Sequence, residues 1–159
     1  MASFSIKLLF LQYFLMVIVL IFTFAIKQNG VRGWNNQQRT RVRIFNGLGG
    51  DDFNVHCKSK DDNLGYHVIH KNEFYQWKFR PNFFRSTLFF CHISWAGGEL
   101  TDDFYKQKRD AREPGRRCRF FCDWNVTKDG VQGYKELLSN LGDWVGRKPD
   151  LFFNWTTGN

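Results

Sequence analysis

Val55-His56-Cys57-Lys58-Ser59-Lys60-Asp61-Asp62-Asn63-Leu64-Gly65 is the stretch on which the reading of this chain turns. Up to the cysteine it alternates: Phe53, Val55 and Cys57 share one face of an extended segment, with Asn54 and His56 on the other. That is the period of a half-buried strand. Charge then replaces alternation. Asp61, Asp62 and Asn63 can bond nearby backbone and Gly65 tolerates positive φ, so the strand is expected to enter a tight turn.

The same period extends in both directions. Upstream, Val42 and Ile44 alternate with Arg41 and Arg43. Downstream, Tyr75, Trp77 and Phe79 alternate with Gln76 and Lys78, and Thr87, Phe89, Cys91, Ile93 and Trp95 form a further row. Glu99 to Phe104 reads as another strand. Cys118, Phe120, Cys122, Trp124 and Val126 alternate with Arg119, Phe121, Asp123 and Asn125. Turn chemistry at 47–52, 61–65, 80–82, 96–98 and 129–130 separates the runs. Short strands at this spacing predict an all-β fold, a small antiparallel β-sandwich. The tail differs: Leu137, Leu138, Leu141, Trp144 and Val145 fit one face of a short C-terminal helix ending near Gly146, docked on the sandwich.

The N-terminus sets the expected compartment. Leu8 to Ile26 is apolar except for Gln12 and Thr23, with Lys7 as a positive flank. Residues 1–25 read as a signal peptide cut after Ala25. Because about 20 apolar residues can span a bilayer, an uncleaved anchor is the rival reading. Both place the remainder in the lumen or outside. The organisation expected is a linker over 26–39, one domain over 40–134 and a partly helical tail over 135–159.

Cys57, Cys91, Cys118 and Cys122 are an even set in an oxidising compartment and read as two disulfides. Zinc is disfavoured, because Cys57 and Cys91 form no second close pair. Were the run from Cys118 to Cys122 fully extended, their Cα atoms would lie about 13 Å apart, beyond the roughly 7 Å that a disulfide spans. Each is therefore expected to reach back, Cys122 to Cys57 and Cys118 to Cys91.

Lysine and arginine number 23 against 15 acidic residues, a formal charge of +8. No basic run exceeds Arg116-Arg117, so the charge reads as a solvated surface suited to acidic partners rather than a nucleic-acid patch. An enzyme of the ribonuclease type needs a pair of acid–base groups. His67 and His70, three apart on a strand, point to opposite faces. His56 and His92 sit opposite core cysteines, which can bring them together on an outer face. No G-x-S-x-G, H-E-x-x-H or phosphate-loop pattern occurs. A cell-wall carbohydrate-binding module also fits a sandwich with an exposed Phe121, without a specific motif. Calcium at Asp61 and Asp62 lacks further ligands at suitable spacing, and no cofactor is expected.

Four stretches then carry a family resemblance: VRIFNGL (Val42 to Leu48), VHCKSKDDNLG (Val55 to Gly65), FYQWKFRPNFFRSTLFFCHISW (Phe74 to Trp95) and CRFFCDWNVTKDGV (Cys118 to Val131). In these the chain resembles the plant self-incompatibility stigma protein and its relatives, the S-protein homologues, over about residues 40 to 134. Gln132 and Gly133, where bulkier residues are expected, and the long tail depart from the pattern. The resemblance implies a small secreted β-sandwich with two disulfides, no enzymatic chemistry, and action as a ligand for a plant membrane receptor. It implies no nucleic acid and no small-molecule substrate, and a monomer is expected. Receptor-facing candidates are Lys58, Lys60, Asp61 and Asp62 in the signature turn. Lys106, Lys108, Arg109 and Arg112 join them from a segment that has no apolar face and reads as a solvated loop. Asn125-Val126-Thr127 and Asn154-Trp155-Thr156 are glycosylation sequons.

Overall fold

The computed structural model describes residues 10–21, 23, 39–111, 116–118 and 120–156. Residues 10–21 are helical and largely exposed, within a unit spanning Met1–Gln37. Among the described residues no helix is long and apolar enough to cross a membrane. The expected cut after Ala25 lies outside them.

Among the described residues, the second unit, Gln38–Asn159, has nine strands. They are β1 (Thr40–Asn46), β2 (Phe53–Lys58), β3 (Asn63–Ile69), β4 (Phe74–Phe79), β5 (Leu88–Trp95), β6 (Gly98–Lys106), β7 (Phe121–Thr127), β8 (Gly130–Leu138) and β9 (Trp144–Phe153). One sheet runs β4-β1-β7-β8-β9 and the other β3-β2-β5-β6. All neighbours are antiparallel except β1 and β7, which pair in parallel with Val42 beside Cys122 and Ile44 beside Trp124. The expected all-β fold is therefore present, with one parallel pair inside it.

Alternation builds the core. Val42 and Ile44 of β1, Val55 and Cys57 of β2, Cys91 and Ile93 of β5, and Trp124 and Val126 of β7 are all buried. Trp124 is fully enclosed. Its indole N–H donates to the Phe104 carbonyl at 2.9 Å, and its ring lies at 5.0 Å from Phe153 and 4.8 Å from Phe104.

Three expectations are corrected. The disulfides join Cys57 to Cys91 and Cys118 to Cys122, not the reach-back pairs. Cys57 and Cys91 are direct cross-strand partners of β2 and β5, with Cα atoms 4.0 Å apart. Cys118 and Cys122 close to 5.2 Å because the chain is not extended there: β7 begins only at Phe121. The Glu136 carboxylate holds that bend by accepting the backbone N–H groups of Phe120 and Phe121.

The tail is not helical. β8 crosses residue 134, and after a turn Trp144–Phe153 pairs antiparallel with it, so the sheet outlasts the expected domain boundary. The leucines that fit a helix also fit a bulged strand pair with Leu138 opposite Trp144. A single helical turn exists elsewhere, at Gln107–Asp110, inside the segment expected to be a solvated loop. There Asp110 is fully buried. Its carboxylate accepts from Arg117 at 2.8 Å, from Arg109 at 2.9 Å and from the Lys106 backbone N–H at 2.7 Å. Arg117 in turn pairs with Asp150 of β9.

Candidate functional site

The signature turn is ordered by a residue that the sequence reading passed over. Ser59 donates its backbone N–H to the Asp62 carbonyl at 2.8 Å, and its hydroxyl accepts the Asp62 and Asp61 N–H groups at 2.9 and 3.3 Å. Lys60, Asp61 and Asp62 are left exposed at the tip, while Lys58 ends β2 half-buried. Asn63 bonds its own backbone as expected, accepting the Gly65 N–H at 3.1 Å, with Gly65 at φ 78°.

Facing this turn is the connection from β4 to β5, residues 80–87. It is pinned from several sides. Asn82 accepts the Ser86 N–H at 2.9 Å, donates its side-chain amide to the Ser86 hydroxyl at 2.7 Å, and donates its backbone N–H to the Thr87 hydroxyl at 2.8 Å. Gln107, in the helical turn, donates to the Asn82 carbonyl at 3.0 Å and accepts the Thr87 N–H at 3.2 Å. Arg85 adopts φ 57°, a left-handed conformation that costs a non-glycine residue free energy and is held by its surroundings.

What this loop displays is apolar. Phe83 and Phe84 are 86% and 85% exposed, packed edge to face at 5.8 Å on one another. Burying a phenylalanine contributes roughly 1.5–3 kcal/mol, so an ordered loop that withholds two from the core forgoes a sizeable fraction of a domain's stability. Between turn and loop lies a cleft of about 530 Å³. Ser59 to Asp62 form one wall, Phe79, Arg80 and Asn82 the other, and Leu88 to Phe90 the floor. Both signs of charge meet there: Lys60 and Arg80 against Asp61 and Asp62.

Phe83, Phe84 and Arg80 were missed as site residues. A signal was available: in Pro81-Asn82-Phe83-Phe84-Arg85, two adjacent aromatics cannot both face a core from an extended chain. The second group of candidates flanks Gln107, beside the cleft, and divides. Lys106 and Lys108 are exposed, Lys106 lying 3.3 Å from Asp103. Arg109 turns inward to Asp110 and to the Asp103 carbonyl. Arg112 lies outside the described residues.

The histidines do not assemble an open acid–base pair. His56 and His92 are direct partners across β2 and β5, as their placement opposite the cysteines implies. His56, however, is buried under Tyr66 at 3.8 Å between ring centroids, with its Nε2 2.7 Å from Asn63 Oδ1. His92 is engaged by Thr101 at 3.0 Å. His67 lies against Tyr75 at 4.2 Å. His70 falls beyond the end of β3 rather than on a strand; the Asp52 carboxylate, 2.7 Å away, holds its imidazole above the usual histidine range. Among the described residues no group of three or more metal-ligating side chains occurs. Of the sequons, Asn125 is half-buried on β7 beside Gly47, and Asn154 is exposed after β9.

Comparison with known proteins agrees with this architecture. The family model for plant self-incompatibility protein S1 matches residues 41–155. The chain is similar to S-protein homolog 6 of Arabidopsis thaliana, 35% identical over 150 residues that take in 92% of this chain and 98% of the relative. S-protein homolog 24 of the same plant is 40% identical over 118 residues, 73% of this chain and 69% of its own. S-protein homolog 5 is 37% identical over 114 residues, 71% and 85%. Matched from β1 through the tryptophan beyond β9, the chain belongs to the plant self-incompatibility protein S1 family.

Proposed function

We propose that the chain is a secreted plant recognition protein that binds a cell-surface receptor, with Phe83 and Phe84 as anchors and the neighbouring cleft supplying polar contacts. The observation that carries this reading is the pinned loop: a hydrogen-bonded, partly strained segment presents two solvent-exposed phenylalanines beside mixed charge. Aromatic anchors with a polar surround are the composition of protein–protein hot spots. A preordered loop also lowers the entropy lost on binding. Lys60, Asp61, Asp62 and Arg80 then act in register and specificity more than in affinity. The apolar N-terminus supports secretion, and Asn154 is the accessible glycan acceptor.

The test is expression of the tagged full-length chain in plant cells. N-terminal sequencing of protein from the medium is expected to start near Ile26, with a glycosidase-sensitive mobility that Asn154→Gln abolishes. Saturable binding to plant membranes should weaken about tenfold or more in Phe83→Ser/Phe84→Ser. Retention in the membrane fraction with Lys7 attached would overturn the diffusible ligand, and undiminished binding by the double variant would overturn the anchor.

A further inference from the structure

Several of the sequence's scattered cations are brought by the fold to the outer face of the five-stranded sheet. In β1, Arg41, Arg43 and Phe45 face outward while Val42 and Ile44 are buried. Their antiparallel partners on β4 are Lys78, Gln76 and Phe74, in that order. Two arginines of this face are engaged by a carboxylate that they share. Arg43 makes a two-pronged pair with Asp123 at 2.6 Å, and Arg147 of β9 reaches the same carboxylate at 2.7 Å. Arg41 and Lys78 are not: neither has a carboxylate partner among the described residues, and they stand directly opposite one another. Like charges at opposed positions destabilise an antiparallel pair. Arg39, two residues earlier and exposed, adds a third cation.

We propose that Arg41 and Lys78, with Arg39 beside them, form a docking site for an acidic polysaccharide of the polyuronate class. The site rests on the extracellular reading above and adjoins the cleft, whose Arg80 lies two residues beyond Lys78. Charge complementarity calls for a polyanion, and guanidinium matches carboxylate geometry. The rest of the patch selects among polyanions. Single-stranded nucleic acid needs free aromatic faces between cations. Here the nearest ring, Phe121, is already occupied, with the Arg41 and Arg43 guanidinium carbons 5.2 and 4.4 Å from its centroid, and the half-exposed Trp144 is itself engaged edge to face on Phe121 at 6.5 Å. Insertion into a membrane surface needs projecting apolar side chains among the cations, whereas Gln76 and Lys78 project there, and exposed Phe74 lies two positions further along β4. The hydrophilic, cation-rich end of this strand pair suits an extended chain bearing carboxylates without bases or lipid.

The experiment measures retention of the purified full-length chain on immobilised polygalacturonate. Neutral galactan, single-stranded RNA and phosphatidylserine vesicles are run in parallel. Binding to polygalacturonate is expected to fall steeply as salt rises through about 0.1 M. Arg41→Gln/Lys78→Gln should weaken it by about tenfold, as expected for losing two solvent-exposed ionic contacts. The control Lys106→Gln/Lys108→Gln, equal in charge loss, should change it less than about twofold, within the range of exposed charges. Lys78→Gln alone, at an exposed position, reads the same effect if Arg41→Gln disturbs the fold. Phe83→Ser/Phe84→Ser should leave polygalacturonate binding unchanged, separating this site from the receptor reading. Equal losses in both charge pairs, retention on neutral galactan, or tighter binding to RNA or vesicles would each overturn the proposal.

Discussion

Gly133, a departure from the expected pattern, stands on β8 opposite Trp124. A Cβ placed there would lie 2.6 Å from the Trp124 ring and 2.7 Å from the Arg117 guanidinium. Neither neighbour can retreat. Trp124 is clamped between Phe104 and Phe153, and Arg117 is fixed by Asp110 and Asp150. Gly133→Ala is therefore expected to destabilise the fold by about 1–3 kcal/mol through overpacking, outweighing the roughly 0.4–1 kcal/mol that loss of a glycine's unfolded-state freedom contributes. Urea unfolding checks this; a midpoint equal to or above the parent's would refute it. At this scale the sequence is informative about which residues are unusual and silent about why. Gln132 and Gly133 stand out in the string of letters, but the reason for the glycine is the tryptophan across the ladder. Phe83 and Phe84 behave likewise. Their adjacency marks one of them as out of the core, whereas the exposure of both depends on Asn82 and Gln107, which are 25 residues apart.

Strands were readable wherever one face is buried, because alternation records burial. β1, β2, β4, β5 and the body of β7 follow from it directly. It fails where both faces are wet or the ladder is irregular. β9 is mostly exposed and its pairing with β8 is bulged, so the spacing of Leu137 and Leu138 at the end of β8, Leu141 in the turn, and Trp144 and Val145 at the start of β9 reads as a helix. The disulfides failed for a related reason: treating Cys118 to Cys122 as one extended run forbade the local bond that the bend at Phe120 permits. The two bonds differ in what they constrain. Cys57 and Cys91 are 34 residues apart and Cys118 and Cys122 only 4. The chain-entropy argument gives about 4 kcal/mol for the longer loop and about 2 kcal/mol for the shorter. Cys57→Ala/Cys91→Ala should accordingly lower the urea midpoint about twice as far as Cys118→Ala/Cys122→Ala, with buried β2–β5 packing lost in addition. The reverse order would show that the bend, rather than the cross-strand pair, carries the covalent contribution.

Neither disulfide joins the two sheets: one lies within β2 and β5, the other within a five-residue segment at the start of β7. Beyond the shared core, the sheets are fastened at both ends of β6 without covalent help. At its beginning, Glu99 exchanges backbone hydrogen bonds with Thr156, and Trp155 donates to the Thr127 carbonyl at 3.0 Å while packing on Trp95. Beyond its end, Asp110 gathers Arg109 and Arg117, and Arg117 carries the link to Asp150 on β9. That second fastening puts a carboxylate and a guanidinium almost wholly out of water, so removing one partner strands the other. Asp110→Ala is expected to cost about 3–5 kcal/mol, the penalty of an uncompensated buried charge, and Asp110→Asn, which keeps part of the hydrogen bonding, less. Asp61→Ala, at the exposed tip of the signature turn, is the comparison and should stay within about 0.5 kcal/mol. Thermal and urea unfolding of the oxidised protein measure all three. If Asp110→Ala proved no worse than Asp61→Ala, the ion cluster would be a passenger and the hydrophobic core alone would hold the sheets together. If the ordering holds, dithiothreitol-treated parent protein should retain the contact between Asp110 and Arg117. The sandwich would then loosen within the β2–β5 sheet before its two layers part, an order that hydrogen exchange resolves strand by strand.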